Sequence, residues 1–200
     1  EEGTKVLAPG PHYPPYVAYP QMYGATTVEY RLDPNDNWRI DFDDIHSKMD
    51  DSVRLLVLIN PNNPTGNVAT PSEIDELLDI ARDYPQCTII SDEIYDGLDF
   101  TGQMSSAASR SDSVPVIVLN GVSKVYFAPG WRIGYMAWHD PEDRLSLVRD
   151  GVERLLRSRL CASTPAQHGY LAGLTNEHRW LDGHRSCVKE RLDYCMERIG

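Results

Sequence analysis

The sequence predicts an α/β protein with three layers, α/β/α, built on a mostly parallel sheet. Three observations carry this expectation. Segments with strand character alternate with segments of helical periodicity. Residues 54–60 (RLLVLIN), 87–91 (CTIIS) and 116–120 (VIVLN) are nearly continuous apolar runs, as in strands buried on both faces of a parallel sheet. The length, 200 residues, with 41% hydrophobic and 24% charged side chains, suits one ordinary domain or a large piece of a bigger one.

Taken in order, KVLA (5–8) reads as a short strand. The stretch that follows, APGPHYPPYVAYP, is rich in Pro and Tyr, and a helix can begin inside it because Pro is tolerated in a first turn. TTVEYRL (26–32) is β-branched and reads as a strand, and DPNDNW as a turn. Phe42, Ile45 and Met49 recur at helical spacing over residues 41–49. Residues 61–66 are irregular. A helix then starts with Thr70 as N-cap, Pro71 in the first helical position and Glu73 completing a capping box. Its buried stripe is Ile74, Leu77, Leu78 and Ala81. After the strands at 87–91 and 116–120 comes another at 133–138 (IGYMAW). Helical patterns cover about 140–160 and 165–200.

Several classes of function are disfavoured. Nineteen Lys+Arg against thirty Asp+Glu give a net charge of −11, which argues against a nucleic-acid or anionic-membrane partner. No apolar run reaches the ~18 residues of a membrane span, and Glu1-Glu2 is unlike a signal peptide. Cys87, Cys161, Cys187 and Cys195 form no CxxC pair, which fits a reduced, cytoplasmic setting. No zinc pattern is present, so no metal is expected. Dinucleotide and P-loop glycine signatures are absent, and Gly121-Val122-Ser123-Lys124-Val125 misses the nucleophile elbow at its last glycine.

In a parallel sheet the ligand sits beyond the carboxyl ends of the strands, so the polar clusters there matter most. After residues 54–60 comes Asn60-Pro61-Asn62-Asn63-Pro64-Thr65-Gly66, which alone reads equally well as a plain turn. After 87–91 comes Asp92, with Tyr95 three residues on. Alone, these read as a helix N-cap and a core tyrosine. After 116–120 comes Lys124, followed by apolar Val125, Tyr126 and Phe127, with Arg132 eight residues later. Apolar surroundings favour the neutral amine that a Schiff base needs. Arginine presents a planar charge suited to phosphate. Only four of the nineteen cations are lysines, and a surface role would leave the position of Lys124 unexplained.

This set of strand ends resembles the class I/II aminotransferases, the fold type I enzymes that use pyridoxal 5′-phosphate (PLP). The matching segments are NPNNPTG (60–66), SDEIYDGL (91–98) and LNGVSKVYFAPGWRIGY (119–135). The resemblance implies the fold of a PLP-dependent transferase large domain. It implies that Lys124 forms the Schiff base with PLP and later moves a proton. Asp92 would pair with the ring nitrogen, Tyr95 and Asn63 would bond the ring oxygen, and Arg132 would bind the phosphate. Aligning PPYVAYP puts the ring-stacking aromatic on Tyr16. Ser123 either contacts the phosphate or is a small neighbour of the lysine, since Gly121 stands where several branches have a phosphate-binding serine.

SRLCASTPAQHGYLAGL (158–174) is similar to the alanine-type branch, which pairs a small L-amino acid with 2-oxoglutarate. The implied assembly is a homodimer. The implied division is a PLP-binding large domain over 1–175, lacking its N-terminal part, and a helix over 176–200 leading to an absent small C-terminal domain. Another PLP chemistry on this fold (a lyase or synthase), a PLP-binding regulatory module, and an acidic α/β domain without a cofactor stay open beside transamination.

Overall fold

In the computed structural model, which describes residues 3–176 and 179–199, the expected strands hydrogen-bond into one sheet. They are β1 (Lys5–Gly10), β2 (Thr26–Asp33), β3 (Arg39–Ile40), β4 (Val53–Ile59), β5 (Thr88–Asp92), β6 (Val116–Gly121) and β7 (Gly134–His139). The order is β3-β2-β1-β4-β5-β6-β7. The five inner strands are parallel, and β3 and β7 run antiparallel at the two edges. Chain order reverses between β1 and β4: β1 leads outward to β2 on one side, and β4 to β5 on the other.

Alternation along each inner strand sends side chains to opposite faces. Leu7, Leu56, Leu58, Ile89, Val116 and Val118 enter the main core. There they meet α2 (Phe42–Lys48), α3 (Pro71–Arg82) and α4 (Ala107–Arg110) through Ile45, Ile74, Leu77, Leu78, Ala81 and Ala107. Val6, Ala8, Val57 and Ile59 face the other way, where Tyr16 of α1 (Pro15–Met22) packs on them. Helices therefore flank both faces of a mostly parallel sheet, as expected.

Local chemistry sets the helix starts. The capping box on α3 forms as read: the Glu73 amide donates to Thr70 Oγ1 (3.3 Å) and the Thr70 amide donates to Glu73 Oε2 (2.8 Å). Asp41 caps α2 by accepting from the Asp44 amide (3.0 Å). The helix expected from residue 140 begins later, as α5 (Ser146–Ser158). Asp140 instead accepts from the amides of Arg144 and Leu145, and Asp143 takes a positive φ of 52°, so these residues form a turn. The helical stretch from 165 onward is two helices, α6 (Thr164–Thr175) and α7 (Arg179–Ile199). α6 packs Ala166 and Tyr170 against Val122 and Ile133, and the α7 residue Arg185 donates to the Asp99 carbonyl (2.6 Å).

Candidate active site

The three polar strand ends converge on one cavity of about 330 Å³ beyond the carboxyl ends of β4, β5 and β6. It lies beside the point where strand order reverses, the usual ligand position in such sheets. Asn63, Asp92, Tyr95, Ser123, Lys124 and Arg132 all line it, with Asn120 and Tyr13. Six of the seven residues singled out in the sequence therefore share one wall-to-wall space, although they span residues 63–132.

Each arrives by a traceable route. In the loop after β4, Asn62 is buried and holds the turn: its Nδ2 donates to Thr65 Oγ1 (2.8 Å), and its carbonyl accepts from the Gly66 amide (2.9 Å). Gly66 takes φ +76°, a left-handed conformation that glycine adopts without strain. Asn60 accepts from the Ala69 amide (2.9 Å), closing the loop on itself. With its neighbours so occupied, Asn63 is left to face the cavity.

Asp92 is the last residue of β5, fixed between β4 and β6. Its Oδ2 accepts from Tyr16 Oη (2.6 Å) and its Oδ1 from the Ile94 amide (3.3 Å). Burial pushes the Asp92 carboxyl above the usual carboxylate range, and the Tyr16 and Ile94 donors pull against that. The adjacent Glu93 turns the opposite way, as strand alternation requires. It accepts from Ser91 Oγ (2.7 Å), Ser106 Oγ (2.8 Å) and the Ala107 amide (3.3 Å), tying the end of β5 to α4.

Lys124 and Arg132 are carried on the connection between β6 and β7. The two strands approach so closely at the paired Gly121 and Gly134 that neither has room for a side chain. A Cβ on Gly121 would lie 2.9 Å from the Ile133 carbonyl oxygen, and one on Gly134 would lie 2.6 Å from that of Asn120. This explains why position 121 holds no serine, and Ser123 is the hydroxyl that reaches the cavity. Arg132 takes φ +52°, an uncommon conformation for a residue with a side chain. Its guanidinium donates to the Pro129 carbonyl (2.8 Å) and lines both the main cavity and a recess beside it shared with Ser123. The Lys124 Nζ lies 5.6 Å from the centre of the Tyr95 ring.

Two expectations are corrected. Lys124 is exposed, not enclosed by apolar neighbours. Val125 turns into the interior at 5% exposure, while Phe127 is half exposed, so the apolar stretch lies beside the amine and not around it. Tyr16 does not line the cavity. Its ring packs on Val6, Ala8, Val57 and Ile59 and only its hydroxyl reaches the site, through Asp92. The aromatic that the Pro/Tyr-rich segment places on the cavity wall is Tyr13, three residues earlier and ahead of the α1 start. The Pro/Tyr-rich segment carried no signal that separated the two.

Among the described residues no cluster of His, Cys, Asp and Glu could hold a metal ion, and no helix is long and apolar enough to cross a membrane. All four cysteines are free.

Comparison with known proteins agrees with this geometry. A family model, "Aminotransferase class I and II", matches residues 1–200. An alanine aminotransferase of Mycobacterium tuberculosis is 35% identical over 187 residues, covering 93% of this chain and 42% of that protein. The glutamate-pyruvate aminotransferase AlaA of Escherichia coli K12 is 36% identical over 173 residues, covering 86% of this chain and 42% of that one. The chain thus spans less than half the length of these curated relatives. Among solved structures, an alanine aminotransferase from Pyrococcus furiosus superposes with a TM-score of 0.96 at 46% identity, covering 100% of this chain and 50% of that one.

Proposed function

Because the chain belongs to the class I and II aminotransferases, a family that works with pyridoxal 5′-phosphate, we propose that it carries the cofactor-binding core of a transaminase. The reaction would move the amino group of a small L-amino acid, alanine-like, to a 2-oxo acid such as 2-oxoglutarate. The observation that carries this reading is the single cavity in which an amine, a carboxylate, a guanidinium, an amide and a phenol meet. That donor set fits the cofactor's aldehyde, ring nitrogen, phosphate and ring oxygen in turn. The names of the relatives support the alanine-type substrates.

When bound, the cofactor supplies an electrophilic carbon for the amino group and an electron-withdrawing ring. Lys124 Nζ would hold that carbon, and the same amine would serve as the base for the proton at the substrate α-carbon. Asp92 would set its charge against the ring nitrogen. Asn63 and Tyr95 would donate to the ring oxygen, and Tyr13 would cover the ring. Arg132, with Ser123 beside it, would bind the phosphate. Residues 1–175 would form the cofactor-binding domain, and 176–200 the helix that leads out of it. The assembly would be a cytoplasmic homodimer, in keeping with exposed free thiols at Cys161, Cys187 and Cys195.

The test adds PLP to the intact polypeptide that carries this chain, reduces with borohydride, and maps the labelled peptide. A pyridoxyl adduct on Lys124 alone, lost in Lys124→Ala, is expected. Conversion of alanine and 2-oxoglutarate to pyruvate and glutamate should accompany it. Labelling scattered over Lys5, Lys48 and Lys189 would overturn the cofactor site. An adduct without transamination would point to another PLP chemistry or a binding module.

A further inference from the structure

We propose that Tyr16 is a positioning residue for this site, fixing through its hydroxyl which way the Asp92 carboxylate faces. The inference rests on the cofactor reading above and concerns a residue that lies outside the cavity itself. The hydrogen bond from Tyr16 Oη to Asp92 Oδ2 is 2.6 Å, the length of a charge-assisted O–H···O⁻ contact. It ties down one carboxylate oxygen. The other, Oδ1, receives only the longer bond from the Ile94 amide at 3.3 Å. Free acceptor capacity on Asp92, itself a cavity-lining residue, is therefore greatest on Oδ1.

Tyr16 itself has little freedom. Its ring packs on Val6, Ala8, Val57 and Ile59, from β1 and β4. Its carbonyl accepts from Thr27 Oγ1 of β2 (3.0 Å), and its ring meets that of Tyr13 edge-on at 6.5 Å between centres. The phenol is thus anchored on three strands and aimed at the end of a fourth. Burial and the adjacent carboxylate both push its titration far up, so it acts only as a hydrogen-bond donor. The two neighbouring tyrosines thus divide the work: Tyr13 lies on the cavity wall, and Tyr16, which does not line it, holds the Asp92 carboxylate.

A carboxylate held in one orientation is preorganised for its partner, and one that must be reoriented binds it less well. Tyr16→Phe keeps the ring and its packing and removes only the hydroxyl. The experiment is a double-mutant cycle in the intact polypeptide, with Tyr16→Phe, Asp92→Asn and both together. Cofactor occupancy is measured as the fraction of Lys124 trapped by borohydride across a PLP concentration series, a readout that extends to weak binding and does not depend on turnover. Tyr16→Phe is expected to raise the half-saturating PLP concentration about tenfold in the Asp92 background, the effect of one hydrogen bond to a charged group. In the Asp92→Asn background it is expected to change it by less than about twofold. Unaltered trapping in Tyr16→Phe would overturn the inference. An equal loss in both backgrounds would also overturn it, because the hydroxyl would then act through packing. A wild type that shows no Lys124 adduct would bring down the cofactor reading itself, and this inference with it.

Discussion

Gly130, on the connection that bears Lys124 and Arg132, and Gly134, the first residue of β7, should respond differently to the same substitution. Gly134 pairs with Gly121 across β6 and β7, and an added Cβ would sit 2.6 Å from the Asn120 carbonyl oxygen. Ordinary contact begins at 3.4 Å, so the methyl overlaps backbone by about 0.8 Å. A backbone oxygen in a strand pair has no rotamer to change, so the strands must part. Overpacking of this kind costs about 3 kcal/mol. Gly130 lies four residues earlier, with nothing within 4 Å of its Cβ position and no positive φ. Gly130→Ala should be neutral or stabilising by about 0.5 kcal/mol, because it restricts only the unfolded chain. Urea unfolding followed by tryptophan fluorescence reads both, since Trp131 and Trp138 flank the contact. With a slope of about 2 kcal/mol per molar urea, Gly134→Ala should lower the midpoint by roughly 1.5 M and Gly130→Ala should move it by no more than about 0.3 M. The Gly134 variant should also trap less PLP on Lys124. Equal midpoints for the two variants would refute the claim that the paired strands leave no room for a side chain at Gly134.

Other expectations follow from individual contacts. Thr70→Ala removes one side of the α3 capping box and should cost about 1 kcal/mol, read in the same urea assay, with little change in PLP trapping because no α3 residue lines the cavity. Asp50 receives Lys5 and Ser52, which hold its carboxyl down at about 2 against an ordinary 3.8. A carboxyl depressed in the folded state stabilises above its unfolded value and loses that contribution as pH falls through its folded value. The stability gap between wild type and Asp50→Asn should therefore be constant above about pH 4 and close as pH approaches about 2. A gap that widens in acid would reverse the assigned sign.

Much of this architecture was legible because local and global signals agreed. The run at 54–60 is apolar on both faces because β4 lies in the middle of a parallel sheet. Thr70, Pro71 and Glu73 announce α3 by the chemistry of a helix start, which needs no tertiary partner. Asn63, Asp92 and Lys124 could be chosen because each follows such a strand. What was not legible depends on position in space. Tyr13 and Tyr16 are the same residue type three apart, and only the place where α1 begins decides that one faces the cavity and the other faces Asp92. The exposure of Lys124 is set by where Val125 and Phe127 turn, and composition does not encode that. Two-residue β3 is too short to leave a period. Asp140 sits before an amphipathic stretch like a helix cap, yet its carboxylate closes a turn on Arg144 and Leu145 instead.

The cavity has no wall that belongs to one segment. Tyr13 follows β1, Asn63 follows β4, Asp92 ends β5, and Lys124 and Arg132 follow β6, so its parts are separated by up to 119 residues of chain. A partly formed sheet therefore offers no partial binding site, and affinity for a ligand here would appear only when the last inner strand has docked. Such a ligand would act as a selective trap for the completed fold: it would slow unfolding and leave the early, local steps of folding unaffected, because no transition state that lacks β6 can hold it.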